Sequence, residues 1–364
     1  MPDNFLELVY KKLNEPPNNK QQIMTDTSIL IIYTGGTIGM VKNEETGTLV
    51  PFNFDNVYEQ IPELEKFHYH IDTISFDPLI DSSDMLPEHW VKLAEMIQSN
   101  YEDYDGFVIL HGSDTMSYTA SALSFILSNL NKPVIITGSQ LPLGVLRTDG
   151  RENLISSIEI AAAKEDETPI VPEVCVFFEN QLYRGNRTYK YNAENFNAFI
   201  SGNYPLLATT GVYLKFHKEH IHHPNFKKLR LRKKLDSSVG ILKIFPGMQP
   251  SFINSILENK DIKALVIETF GSGNAFTGDW FLNSLEKAIQ RGLVIVNITQ
   301  CVGGSVDMGK YETSRRMKEI GVVGGKDITT SAAVTKLMVI LGEESDPKKI
   351  ISKFKKSWVG EFSE

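Results

Sequence analysis

Short apolar runs and segments of helical period take turns along this chain. The uncharged, β-branched run Ser28–Tyr33 reads as a buried strand, and strand-like stretches recur at 71–76, 107–110, 133–137 and 173–178. After the turn Asp105-Gly106 and its strand, Met116, Ala120, Leu123, Leu127 and Leu130 are spaced by four and three, which predicts an amphipathic helix. Another helix is predicted over 152–164. Strand–helix alternation of this kind means a parallel sheet covered on both faces, here the doubly wound, flavodoxin-like α/β type. The rhythm fails between about 206 and 237, where His217, His220, His222 and His223 precede a basic run from Lys227 to Lys234. That stretch predicts an exposed connection. Alternation resumes at 240–245, 264–268 and 293–298, and closes with helices near 330–341 and 347–358. Residues 1–26 are polar, with Pro16-Pro17-Asn18-Asn19 ending a short amphipathic piece, and predict an appendage.

Composition narrows the class. A chain of 364 residues exceeds what one core usually serves, so the expected organisation is an appendage (1–26), an N-terminal catalytic α/β domain (27–205), a linker (206–237) and a C-terminal α/β domain (238–364). A net charge of -8 offers no footprint for nucleic acid or an anionic membrane. No apolar stretch approaches the roughly 20 residues that span a bilayer, and residues 1–22 lack the pattern of a secretory signal. The expected location is the cytoplasm. Cys175 and Cys301 both read as reduced packing residues in apolar strands.

The most informative stretch is Thr34-Gly35-Gly36-Thr37-Ile38-Gly39, directly after the first strand. Glycines there let backbone approach a ligand. The loop lacks a phosphate-loop lysine and the G-x-G-x-x-G spacing, so it is no nucleotide cradle. Its threonine hydroxyls are candidate nucleophiles. Three more polar clusters fall at expected strand ends: Asp81-Ser82-Ser83-Asp84, His111-Gly112-Ser113-Asp114-Thr115 and Arg184-Gly185-Asn186-Arg187-Thr188-Tyr189-Lys190. Ligands of open parallel sheets bind at carboxyl ends of strands.

Each cluster also has a bland explanation. Thr37, Ser82, Ser83, Ser113 and Asp114 are residue types that cap helices and turns. Arg184, Arg187 and Lys190 could form a solvated face. The histidines of 217–223 lack the cysteine or carboxylate partners of a tetrahedral metal site, so no metal is expected. Read together, the clusters supply a hydroxyl nucleophile, a lysine able to accept a proton if burial favours its neutral form, a carboxylate to orient it, and turn amides for an oxyanion. The residues alone support hydroxyl-dependent acyl transfer and leave the substrate open.

Thr-Gly-Gly-Thr-Ile-Gly, Ser-Ser-Asp-Met, His-Gly-Ser-Asp-Thr and Tyr-Arg-Gly-Asn-Arg-Thr-x-Lys, in this order, resemble the bacterial-type L-asparaginases. The stretch 104–142 is similar to the type I, cytoplasmic branch. The resemblance runs from about Ile29 onward. It implies a larger N-terminal and a smaller C-terminal α/β domain, a small amino-acid substrate, no cofactor, and a homodimer or homotetramer with sites between subunits. It implies Thr37 as the nucleophile that forms an acyl-enzyme, and Ser113, Asp114 and Lys190 as a relay. Asp114 would hold the substrate α-amino group, Ser82 with Ser83 its α-carboxylate, and Asn274 would serve a partner subunit's site. A glutaminase-asparaginase, the amidase subunit of a tRNA-dependent amidotransferase, and a non-catalytic amino-acid sensor are the alternatives.

Three departures stand out. Ser113 replaces the family's usual threonine, losing a methyl that restricts its rotamer. The lid stretch Gly47-Thr48-Leu49-Val50-Pro51 has no tyrosine. Glu268 replaces the arginine with which allosteric type I enzymes bind a second asparagine, although Thr299 and Cys301 keep that region's pattern.

Overall fold

Strand β1 (Ser28–Tyr33) is buried along nearly its whole length because it lies inside a sheet, paired in parallel with β2 (His70–Ser75) and β3 (Gly106–Leu110). The computed structural model describes residues 27–42, 49–51, 61–309 and 311–363; the expected appendage, 1–26, lies outside these. Parallel pairing continues through β4 (Val134–Thr137) to β5 (Val174–Phe178). The order β2-β1-β3-β4-β5 is the flavodoxin-like one, and it reverses direction between β1 and β3. Antiparallel β6 (Gln181–Arg184) and the short strands Ala208–Thr209 and Lys215–Phe216 extend the sheet.

Continuous apolar strands need cover on both faces. Leu30 and Ile32 point to α1 (Pro87–Ser99) and α2 (Met116–Ile126), sharing a core with Trp90, Leu93, Ala120 and Leu123. Ile29 and Ile31 point the other way, to α3 (Gly150–Ala162), with Leu154 and Ile158. This is the two-residue alternation of a strand.

A second, all-parallel sheet follows in the order β7 (Val239–Lys243), β8 (Ala264–Thr269), β9 (Val294–Thr299), β10 (Val323–Gly324). One face is covered by α4 (Pro250–Leu257) and α5 (Asp279–Gln290). The other carries α7 (Thr330–Glu343), which packs against α2, so one apolar core runs through both halves. Helix α6 is Glu312–Glu319 and α8 is Pro347–Phe354. Among the described residues no helix is long and apolar enough to cross a membrane.

The structure departs from the periodicity in several places. Helix α2 ends at Ile126, because Leu127–Ser128 turns out to pair with Arg230–Leu231. The stretch 206–237 is therefore not merely an exposed connection; besides its strands it buries Leu207, Ala208, Ile221 and Leu229. Cys301 is a correction: it is exposed beyond the end of β9, while Cys175 is buried in β5. Helices α1, α4, α5 and α6 were not singled out by apolar spacing.

Candidate active site

The loops that follow β1 and β3 leave the sheet where its strand order reverses, and they touch. Thr34 N–H and its hydroxyl both donate to Leu110 O at 3.0 Å, stitching the end of β1 to the end of β3. Gly35 and Gly36 have φ of +130° and +91°, a region that side chains disfavour. A Cβ on Gly35 would meet Ile80 O at 2.2 Å, and one on Gly36 would meet Gly112 N at 2.5 Å. The glycines thus serve close approach to neighbouring loops of the chain itself, where their pattern predicted approach to a ligand. Thr37 opens the short turn Thr37–Gly39 that follows, partly exposed, and its hydroxyl makes no hydrogen bond with the described residues. Tyr33, buried beneath this turn, has its phenol pushed up to about 12 by desolvation.

The serine cluster reaches the same place. Asp81 caps the turn Ser82–Asp84 by accepting from Ser83 N–H at 2.8 Å. Ser82 is 4% exposed, and a Cβ on Gly112 would meet its Oγ at 2.5 Å. Thr115 Oγ1 donates to Ser82 O at 2.6 Å, so the turn is pinned to the loop after β3. Ser83, the next residue of that turn, is exposed.

Lys190 arrives from the far side of the sheet, just after β6. Its Nζ donates to Ser113 Oγ at 3.0 Å and to Asp114 Oδ1 at 2.5 Å. The lysine side chain is 18% exposed and the aspartate 63%, so one end of the pair is sheltered and the other open to a ligand. Asp114 keeps lone pairs for a further cationic donor.

His111 is a feature that spacing did not reveal. Trp90 Nε1–H donates to Thr119 Oγ1 at 3.0 Å, and Thr119 Oγ1 lies 2.9 Å from His111 Nε2. His111 Nδ1 lies 2.6 Å from Gly112 O, an acceptor only, so the proton sits on Nδ1 and Thr119 donates to Nε2. Full burial holds the imidazole neutral, with its pKa lowered to about 4. In a trans peptide the carbonyl and the next N–H point in opposite directions. Holding Gly112 O against the buried imidazole therefore turns Ser113 N–H away from it.

The structure thus brings together the loops carrying Thr37, Ser82, Ser113, Asp114 and Lys190. Asn274 closes the turn after β8, where Phe270 and Asn274 exchange backbone hydrogen bonds at 2.9 Å, and its Oδ1 is buried with no hydrogen-bond partner among the described residues. Among the described residues no hydrogen bond or ion pair ties it to Lys190 in its own chain. In the lid region Met40–Lys42 pairs with Leu49–Pro51, while Thr48 lies outside the described residues. Among the described residues no group of three or more His, Cys, Asp and Glu could hold a metal ion.

The chain is similar to known proteins over most of its length. Residues 28–222 match the profile described as asparaginase, N-terminal, and residues 238–354 that of the glutaminase/asparaginase C-terminal domain. The L-asparaginase 1 of Escherichia coli (strain K12) is 42% identical over 93% of this chain and 99% of its own length. The 60 kDa lysophospholipase of Mus musculus is 40% identical over 89% of this chain but only 61% of that longer protein. Among solved structures, L-asparaginase I from Vibrio cholerae superposes with a TM-score of 0.83 at 37% identity, covering 93% of this chain and 99% of that one.

Proposed function

Because this chain belongs to the asparaginase family and is an amidohydrolase, we propose that it hydrolyses L-asparagine to L-aspartate and ammonia, with Thr37 as nucleophile and an acyl-enzyme intermediate. The observation that carries the proposal is the sheltered Lys190 Nζ bonded to Ser113 Oγ and Asp114 Oδ1, two residues whose own loop abuts the one bearing Thr37.

Thr37 Oγ attacks the side-chain amide carbon. Negative charge builds on the amide oxygen, where the amide of Ser113 can stabilise it. The proton leaving Thr37 passes through Ser113 to Lys190 in its amine form, which Asp114 orients, and then to the departing nitrogen, which leaves as ammonia. Water then attacks the ester of Thr37 by the same route and releases aspartate. Asp114 accepts from the substrate α-ammonium through its open side, and Ser82 with Ser83 donates to the α-carboxylate, so that opposite charges of the zwitterion meet opposite partners. We read Asn274 as serving a neighbouring subunit's site in a cytoplasmic homodimer or homotetramer.

Ammonia release from asparagine by the purified protein tests the assignment. It should vanish in Thr37→Ala while the circular dichroism spectrum is retained. Undiminished release in that variant would refute the nucleophile. Parallel kinetics on asparagine and glutamine would measure a preference that turns on one methylene.

A further inference from the structure

Residues 357–363 span the two halves of the molecule at the loop that carries Lys190. On the second sheet's side, Glu361 pairs with Lys336 of α7, both fully buried. Lys336 Nζ also donates to Phe354 O and Lys356 O, and it lies 4.7 to 5.4 Å from the ring centres of Phe354, Trp358 and Phe362. The Glu361 carboxylate accepts the N–H groups of Trp358 and Val359, closing the segment around itself.

On the other side stands Arg187, 2% exposed and three residues before Lys190. Its Nη1 donates to Glu361 O at 3.1 Å and Asp327 O at 3.3 Å; its Nη2 donates to Ser363 Oγ at 3.0 Å and Asp327 Oδ2 at 3.1 Å. Ser363 in turn donates its N–H and hydroxyl to Asp327, both at 2.7 Å. Asn186 Nδ2 adds a bond to Val359 O at 3.1 Å.

Beside that network, Lys190 sits in the two-residue strand Tyr189–Lys190, paired with Phe199–Ile200, and the next residue, Tyr191, donates its N–H to Ala198 O at 2.7 Å. The Lys190 ammonium rides on a flexible four-carbon stem, so the position of its backbone matters. Buried ion pairs are weak sources of net stability, because desolvation offsets attraction; their better-attested use is to select one arrangement. We propose that residues 357–363, acting through Arg187, are a positioning latch that sets the Lys190 ammonium against Ser113 and Asp114. This rests on the role given to Lys190 above.

The experiment compares Arg187→Lys, which keeps the charge but not the fork of donors, with Ser363→Ala, which removes two bonds from an exposed residue. Each is made in the wild-type and Lys190→Met backgrounds, with thermal unfolding as the check of folding. The expected result is a fall in kcat of about 10- to 100-fold for Arg187→Lys, a smaller fall for Ser363→Ala, and KM for asparagine within about threefold in both. In the Lys190→Met background neither change should lower the residual kcat further, the non-additivity of a shared unit. Wild-type kcat in both folded variants, or losses that add in full to that of Lys190→Met, overturns the latch alone. If Arg187→Lys does not fold, Ser363→Ala decides by the same criteria. Wild-type kcat in Lys190→Met would instead overturn the role of Lys190, and the latch with it.

Discussion

Gly36 and Gly112 meet backbone to backbone: a methyl group on Gly36 would stand 2.5 Å from the Gly112 amide nitrogen and 2.6 Å from its Cα. Thr37 and Ser113, the residues that follow, share one sheet edge because nothing separates these two glycines. Gly36→Ala must both leave φ of +91° and push the loops apart. We expect about 2 kcal/mol of lost stability and a kcat lowered by roughly 100-fold. An alanine variant with the wild-type urea midpoint and turnover would contradict the contact.

Ser113 tests the relay. Ser113→Ala leaves Lys190 paired with Asp114 alone and should lower kcat by about 100- to 1,000-fold, with little change in the melting temperature. Ser113→Thr keeps the hydroxyl and narrows its rotamers, so its kcat should equal or exceed that of the wild type. Steady-state ammonia release separates the outcomes; an active Ser113→Ala removes the hydroxyl from the mechanism.

His111 predicts a pH-dependent stability. Its folded pKa of about 4 lies below the ordinary 6.5, so the unfolded chain takes up the proton first. Stability present above pH 6.5 is therefore lost as pH falls toward 4. Between pH 7 and 4.5 this group contributes a loss on the order of 2 kcal/mol. Urea unfolding of wild type and His111→Asn at the two pH values checks it: the variant starts lower at pH 7 and falls less. Equal falls in both proteins would show that the imidazole is not the source.

Glu268 predicts simple kinetics. Its carboxylate accepts from Thr330 Oγ1 at 2.6 Å and lies 3.6 Å from Lys243 Nζ, at the end of β8. An anion there repels the carboxylate of a second asparagine, where an arginine would clamp it. The rate should rise hyperbolically with asparagine concentration, and a sigmoidal curve would count against this view of Glu268.

The alternation of apolar runs and helical periods, the glycines after β1 and the polar clusters at strand ends were all readable, since each depends on neighbours within a few residues. The bland explanation held only for the cluster at 81–84, where Asp81 caps the turn of Ser82 and Ser83; no side chain caps the turn of Thr37 or the helix after Ser113 and Asp114. Local order could not say that Leu127 leaves its helix, for Arg230–Leu231 competes for it from a hundred residues away. Nor could it say that Cys301 ends exposed.

Chain order and side-chain type were enough for the sheet's winding and for the short list from Thr37 to Lys190. Folding alone chose partners: Lys190 could have been a solvated charge until the sheet carried it to Ser113, and Arg187 until Asp327 and Ser363 closed on it. The cause is physical. Strand and turn preferences are local, whereas the environment of a buried charge is set by whichever distant groups the packed core leaves within about 3 Å.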